Sequence, residues 1–136
     1  MCERELIERA MVMAKAAYAP YSRFQVGAAV LAESGRAYGG ANVENASYGA
    51  TVCAERNAIA AAVNAGERKL VAIAICGGRD GVMTDYCPPC GVCRQVMREF
   101  CEPKEFRVIV AKSVGDFRVF TLAELLPESF GPGHLV

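Results

Sequence analysis

Seven consecutive residues, Leu70-Val71-Ala72-Ile73-Ala74-Ile75-Cys76, contain no charged or hydrogen-bonding side chain beyond a thiol. A run of this kind is what a strand covered on both faces requires, because a half-solvated strand would alternate apolar with polar. Helices must therefore pack above and below the sheet that contains it. Residues 91–100 read as a helix and 107–112 as a strand, so the passage from 70 to 112 is strand, helix, strand. That order implies a parallel pair joined by a right-handed crossover. Upstream, residues 26–31 form a short apolar run, Ser34-Gly35 is turn chemistry and 36–40 can return, so residues 25–40 predict an antiparallel hairpin. Residues 117–121, after a turn at Gly115-Asp116, add a fifth strand.

The helices are legible from their periods. Leu6, Ile7, Ala10, Met11, Ala14 and Tyr18 recur near 3.6 residues, predicting an amphipathic helix over residues 3–18 that ends before Ala19-Pro20. Residues 53–65 are Ala-rich and stop at Gly66, and a short helix over 122–126 precedes Pro127. Residues 77–89 read as a Gly-rich loop. The expectation is one α/β domain over residues 1–136, a three-layer sandwich in which helices cover a mixed five-stranded sheet. A length of 136 residues leaves room for one such domain at a typical ~100–200 residues.

Charge excludes some functions. Fifteen Lys and Arg balance fifteen Asp and Glu, so the basic surplus that holds a phosphate backbone or an anionic membrane is missing. No apolar run reaches the ~18 residues of a membrane span. The expected partners therefore include neither nucleic acid nor membrane. The chain opens Met1-Cys2-Glu3-Arg4-Glu5, acidic where an export signal is basic and then apolar, which predicts a cytoplasmic protein. Seven cysteines, an odd number, cannot all pair within one chain, and in a reducing compartment clustered thiols bind metal or do chemistry.

Two segments concentrate that chemistry, Cys53-Ala54-Glu55-Arg56 and Pro89-Cys90-Gly91-Val92-Cys93-Arg94-Gln95. Each opens a predicted helix, where unpaired amides and the dipole favour thiolates. Cys90 and Cys93, one turn apart, can grip one zinc ion and Cys53 can supply a third sulfur, leaving the fourth tetrahedral position open as a catalytic site requires. Cys90 and Cys93 alone read equally well as buried small residues or a redox pair. Glu55, two residues after Cys53, adds the carboxylate that metal-assisted hydrolysis needs to move a proton. Cys87-Pro88-Pro89-Cys90 is a second CxxC, and spacing does not say which pair binds.

Cys-Ala-Glu-Arg followed by Pro-Cys-Gly-x-Cys-Arg-Gln resembles the zinc-dependent cytidine deaminases, in their small three-cysteine form. The likeness extends through residues 18–29 (Tyr-Ala-Pro-Tyr-Ser-Arg-Phe-Gln-Val-Gly-Ala-Ala), through Asn42-Val43-Glu44-Asn45-Ala46-Ser47-Tyr48, and to Leu125-Leu126-Pro127 with Phe130-Gly131-Pro132. The resemblance implies a cytidine deaminase-like fold with one zinc ion per chain, held by Cys53, Cys90 and Cys93. It implies hydrolytic deamination of cytidine and 2′-deoxycytidine in pyrimidine salvage, by zinc-bound hydroxide attack at C4 with Glu55 as proton shuttle. Asn42 and Glu44 correspond to residues that hold the ribose, Phe24 and Ala54 to residues against the nucleoside, and Tyr48 and Phe130 to residues that complete the site of a neighbouring subunit in a homotetramer. Phe24 and Phe130 also read as ordinary core packing.

Three thiolates and Zn²⁺ sum to minus one, which weakens the metal as a Lewis acid. Arg56, three residues after Cys53, is placed to donate hydrogen bonds to the thiolates and restore the acidity of bound water. Competing readings are deamination of another aminopyrimidine nucleoside such as blasticidin S, editing of cytosine within RNA or DNA, and a zinc-stabilised interaction module or redox protein without hydrolytic activity. The module reading leaves Glu55 and the segment 42–48 without a task.

Overall fold

The computed structural model describes residues 1–136. Its elements are α1 (Glu3–Ala14), β1 (Phe24–Ala32), β2 (Ala37–Ala41), α2 (Ala54–Asn64), β3 (Leu70–Arg79), α3 (Gly91–Glu99), β4 (Arg107–Ser113), β5 (Asp116–Thr121) and α4 (Leu122–Leu125), with single 3-10 turns at Tyr48–Ala50 and Pro132–His134. The sheet has five strands in the order β2-β1-β3-β4-β5. Only β3 and β4 run parallel, joined across α3, and the other neighbours are antiparallel. The expected mixed sheet between helices is thus the fold observed.

The apolar run of β3 divides its side chains by size. Ile73 and Ile75 join Ala28, Val30, Val108 and Val110 in a core under α2, α3 and α4. Ala72, Ala74 and Cys76 face the other way, where with Ala29, Leu31 and Ile109 they meet Leu6, Ile7, Ala10 and Ala14 of α1. Each of the large aliphatic side chains buried here contributes about 1.5–3 kcal/mol. Two glycines set how closely the helices approach. A Cβ on Gly27 would lie 1.9 Å from the Ala10 carbonyl oxygen of α1, and one on Gly40 would lie 2.4 Å from the Ala58 amide of α2. The backbones of both helices rest directly on the sheet, one on each face.

Two boundaries depart from the sequence reading. The first helix stops at Ala14, because Tyr18 pairs instead with the segment before α2: its amide donates to the Asn42 carbonyl at 2.9 Å and its carbonyl accepts from the Glu44 amide at 2.8 Å. Tyr18 is consequently 56% exposed and off the helix's buried stripe. Residues 77–79, expected in a loop, continue β3, since β1 extends far enough to pair Gly77 with Val26, Gly78 with Gln25 and Arg79 with Phe24. No helix is long and apolar enough to cross a membrane.

Candidate functional site

The N-termini of α2 and α3 meet at one end of the sheet. Cys53 and Cys90 are their N-cap residues, each with extended backbone, and neither thiol closes its own helix. Cys93, fully buried in the first turn of α3, completes a group of three sulfurs all within 4.8 Å of one another, with Cys90 and Cys93 3.5 Å apart. Sulfurs bound to one tetrahedral zinc at 2.3 Å stand about 3.8 Å apart, so the donor set and its spacing fit that ion. Cys87 lies outside the group. Its sulfur packs against Gly77 of β3, and burial pushes its thiol up to about 12.

The sulfurs share protons unequally. The hydrogen bond with Cys93 is the largest cause that holds the Cys53 thiol down, to about 5, with Arg56 adding to it against the opposing effect of burial. Cys93 is pushed up by the same bond, by burial and by the charge of Glu55. Glu55, in the first turn of α2, is 5% exposed. Burial, and secondarily the charge on Cys53, raises its carboxyl above the ordinary range. A carboxyl poised in that direction beside a thiolate cluster suits a group that accepts and returns a proton near neutral pH. The Arg56 Nη2 lies 3.7 Å from the Cys53 sulfur and 3.3 Å from the Thr51 carbonyl, while its Nε is buried without a hydrogen-bond partner. The guanidinium therefore touches the cluster, as its charge argument requires.

Beside the sulfurs, the segment after β2 brings Asn42 and Glu44 against the start of β1. The Asn42 amide donates to the Phe24 carbonyl at 2.8 Å and accepts from the Val26 amide at 2.9 Å. One donor and one acceptor position of that amide are left over. Glu44 accepts from the Tyr21 and Ser22 amides at 2.9 and 3.1 Å and from the Ser22 hydroxyl. The Ser22 hydroxyl is the main cause that holds its carboxylate below the ordinary range. A cleft of about 340 Å³ opens here, lined by Tyr21, Ser22, Glu44, Tyr48 and Thr51. Tyr48 is 76% exposed and tilted against Tyr21 at 5.9 Å between ring centroids. Phe24, 40% exposed, and Phe130, 56% exposed, are surface residues, which removes the core-packing alternative for both. Ala54 is fully buried as the first residue of α2, among the amides a helix start leaves unpaired.

The sequence reading gave no task to several residues that shape this region. Ser22 holds Glu44, and Arg23, in the left-handed region at φ 61°, pairs with Asp80 at 2.9 and 3.2 Å and fixes the turn before Phe24. Both lie inside the motif at residues 18–29, but only the three-dimensional pairing with residues 44 and 80 reveals what they do.

Comparison with known proteins agrees with this geometry. A family model described as the cytidine and deoxycytidylate deaminase zinc-binding region matches residues 1–110. The chain is 47% identical over 130 residues to a cytidine deaminase of Halalkalibacterium halodurans, covering 96% of this chain and 95% of that one. It is 43% identical over 131 residues to one of Sporosarcina psychrophila, covering 96% and 93%. The crystal structure of a cytidine deaminase from Burkholderia pseudomallei superposes with a TM-score of 0.86 at 44% identity, over 96% of this chain and all of that one. That of a Mycobacterium tuberculosis cytidine deaminase does so with 0.80 at 40% identity, over 96% and 98%. Matched by that family model over residues 1–110 and by these relatives over nearly its whole length, the chain belongs to the zinc-binding cytidine and deoxycytidylate deaminase family.

Proposed function

We propose that the protein catalyses the hydrolytic deamination of cytidine and 2′-deoxycytidine to uridine and 2′-deoxyuridine with release of ammonia, a reaction of pyrimidine salvage. The observation that carries this reading is the buried carboxyl of Glu55 two residues from Cys53, beside three sulfurs within 4.8 Å of one another. Zinc bound by Cys53, Cys90 and Cys93 supplies the acidity that makes water a nucleophile near neutral pH. Glu55 accepts one proton of the attacking water and delivers it to ring N3, then takes the second from the new C4 hydroxyl and delivers it to the amino group. The C4–N bond breaks as the new C4–O bond is kept, and ammonia leaves. A carboxyl whose burial already favours the protonated form makes both transfers from one position.

The remaining residues bind and orient. Glu44 and the free positions of the Asn42 amide accept and donate to the ribose hydroxyls, Phe24 lies against the pyrimidine, and the Ala54 backbone lines the base at the start of α2. Arg56 draws negative charge from the thiolates through Cys53. Tyr48 and Phe130 both stand exposed on the surface, which fits residues that complete the site of a neighbouring copy in a homotetramer built from this one domain. Working thiols at the centre of the chemistry fit a reducing cytoplasm.

The test is direct. Purified protein should carry about one zinc per chain and convert cytidine to uridine, and a chelator that strips the metal should abolish conversion until zinc is restored. Conversion that persists without bound metal would defeat the proposal.

A further inference from the structure

Arg94 and Gln95 follow Cys93 directly, yet the reaction uses neither. Together with Arg98, one turn further on α3, their side chains reach a single stretch of chain. The Arg94 Nη1 donates to the Leu125 carbonyl at 2.7 Å, the Gln95 Nε2 to the Phe130 carbonyl at 2.9 Å, and the Arg98 Nε to the Ser129 hydroxyl at 2.9 Å. Arg94 also donates through Nε to the carbonyl of Pro89, the residue before Cys90, at 2.8 Å. Residues 127–130 make no backbone-to-backbone hydrogen bond, so the Gln95 and Arg98 side chains are their polar attachment to α3.

Packing follows the same plan. A Cβ on Gly131 would lie 2.4 Å from the Arg98 guanidinium carbon, so glycine lets the segment come this close. The Gly131 amide donates to the His134 Nδ1 at 3.0 Å, and the Phe130 ring stacks on that imidazole with centroids 5.0 Å apart and planes at 19°. An aromatic ring more than half exposed on a surface connection outside helices and strands would ordinarily be mobile. This one is held through its own carbonyl by the helix that carries two metal ligands, and through its face by the lone histidine.

We propose that Gln95, backed by Arg94 and Arg98, is a positioning residue that fixes Phe130 relative to the metal-ligand helix and so presents the ring in one place to the nucleoside site of a second copy of the chain. The proposal rests on the reading of Phe130 as a residue that completes a neighbouring site.

Steady-state kinetics with cytidine on Gln95→Ala, Phe130→Ala and the double variant test it, with zinc per chain and subunit mass measured alongside. Losing one hydrogen bond of ordinary strength should raise KM about fivefold in Gln95→Ala, with kcat within about twofold and zinc and mass unchanged. The double variant should be no worse than Phe130→Ala alone, because Gln95 acts only through that ring. Effects that multiply, a wild-type KM in Gln95→Ala, or a loss of zinc or kcat there would overturn the proposal. If Phe130→Ala itself leaves KM unchanged, the reading of Phe130 fails first and the positioning role falls with it.

Discussion

A carboxyl buried two residues from a thiolate has two reasons to keep its proton, desolvation and like charge, and Glu55 has both. Arg56 works in the opposite sense on the same cluster. Its guanidinium lies 3.7 Å from the Cys53 sulfur, where its charge favours the thiolate. Arg56→Ala should keep its zinc, lower the neutral-pH rate about 10–100-fold, and move the pH–rate profile to the alkaline side. An unchanged profile would remove the guanidinium from the mechanism. Glu44 offers a second residue-scale expectation. Its carboxylate is lowered chiefly by the Ser22 hydroxyl, so the charged clamp is fully present above the ordinary carboxylate range and is lost only as pH falls through its depressed value. Ser22→Ala removes the largest cause of that depression. The acid-side rise in KM for cytidine should therefore begin at higher pH than in the parent protein, and a coincident acid limb in the two proteins would show that Glu44 is not the group titrating.

Single elements hold the site by close approach. Gly40 lets the backbone of α2 rest on β2, and Gly27 lets α1 rest on β1 from the opposite face. Gly40→Ala and Gly27→Ala should each cost about 1–3 kcal/mol in an unfolding titration, as overpacking does. Only Gly40→Ala displaces the helix that carries Cys53 and Glu55, so it alone should speed zinc loss to a chelator. Equal zinc loss in both variants would mean that general loosening, not the seat of α2, controls the metal. The elements also show how far a sequence can be read. The run from Leu70 to Cys76 fixed a strand buried on both faces, because periodicity and burial are local facts. The helical period does not show that Tyr18 leaves the helix, because its competing partners, Asn42 and Glu44, are distant in sequence. Gly77 and Gly78 read as loop for the same reason, since their strand exists only through pairing with Val26 and Gln25.

At the scale of the molecule, most of the metal chemistry was legible and most of its support was not. Cys53, Cys90 and Cys93 could be picked out by spacing at helix starts together with the family resemblance, and the fold brings those three sulfurs together while turning Cys87 toward β3. The exposure of Phe24, Tyr48 and Phe130 depends on which surfaces the sheet leaves uncovered, and the grip of α3 on the C-terminal segment depends on the tertiary path of residues 125–131. Neither has a local signature. The whole account turns on one division of labour, with the sulfurs holding the metal and Glu55 moving the proton. The measurement that separates these tasks is zinc stoichiometry and cytidine turnover compared side by side in the parent protein and Glu55→Gln. About one zinc per chain in both, with turnover in Glu55→Gln reduced by about 10²–10⁴-fold, is the expected result. A fully zinc-loaded Glu55→Gln protein that deaminates cytidine at the parent rate would contradict it.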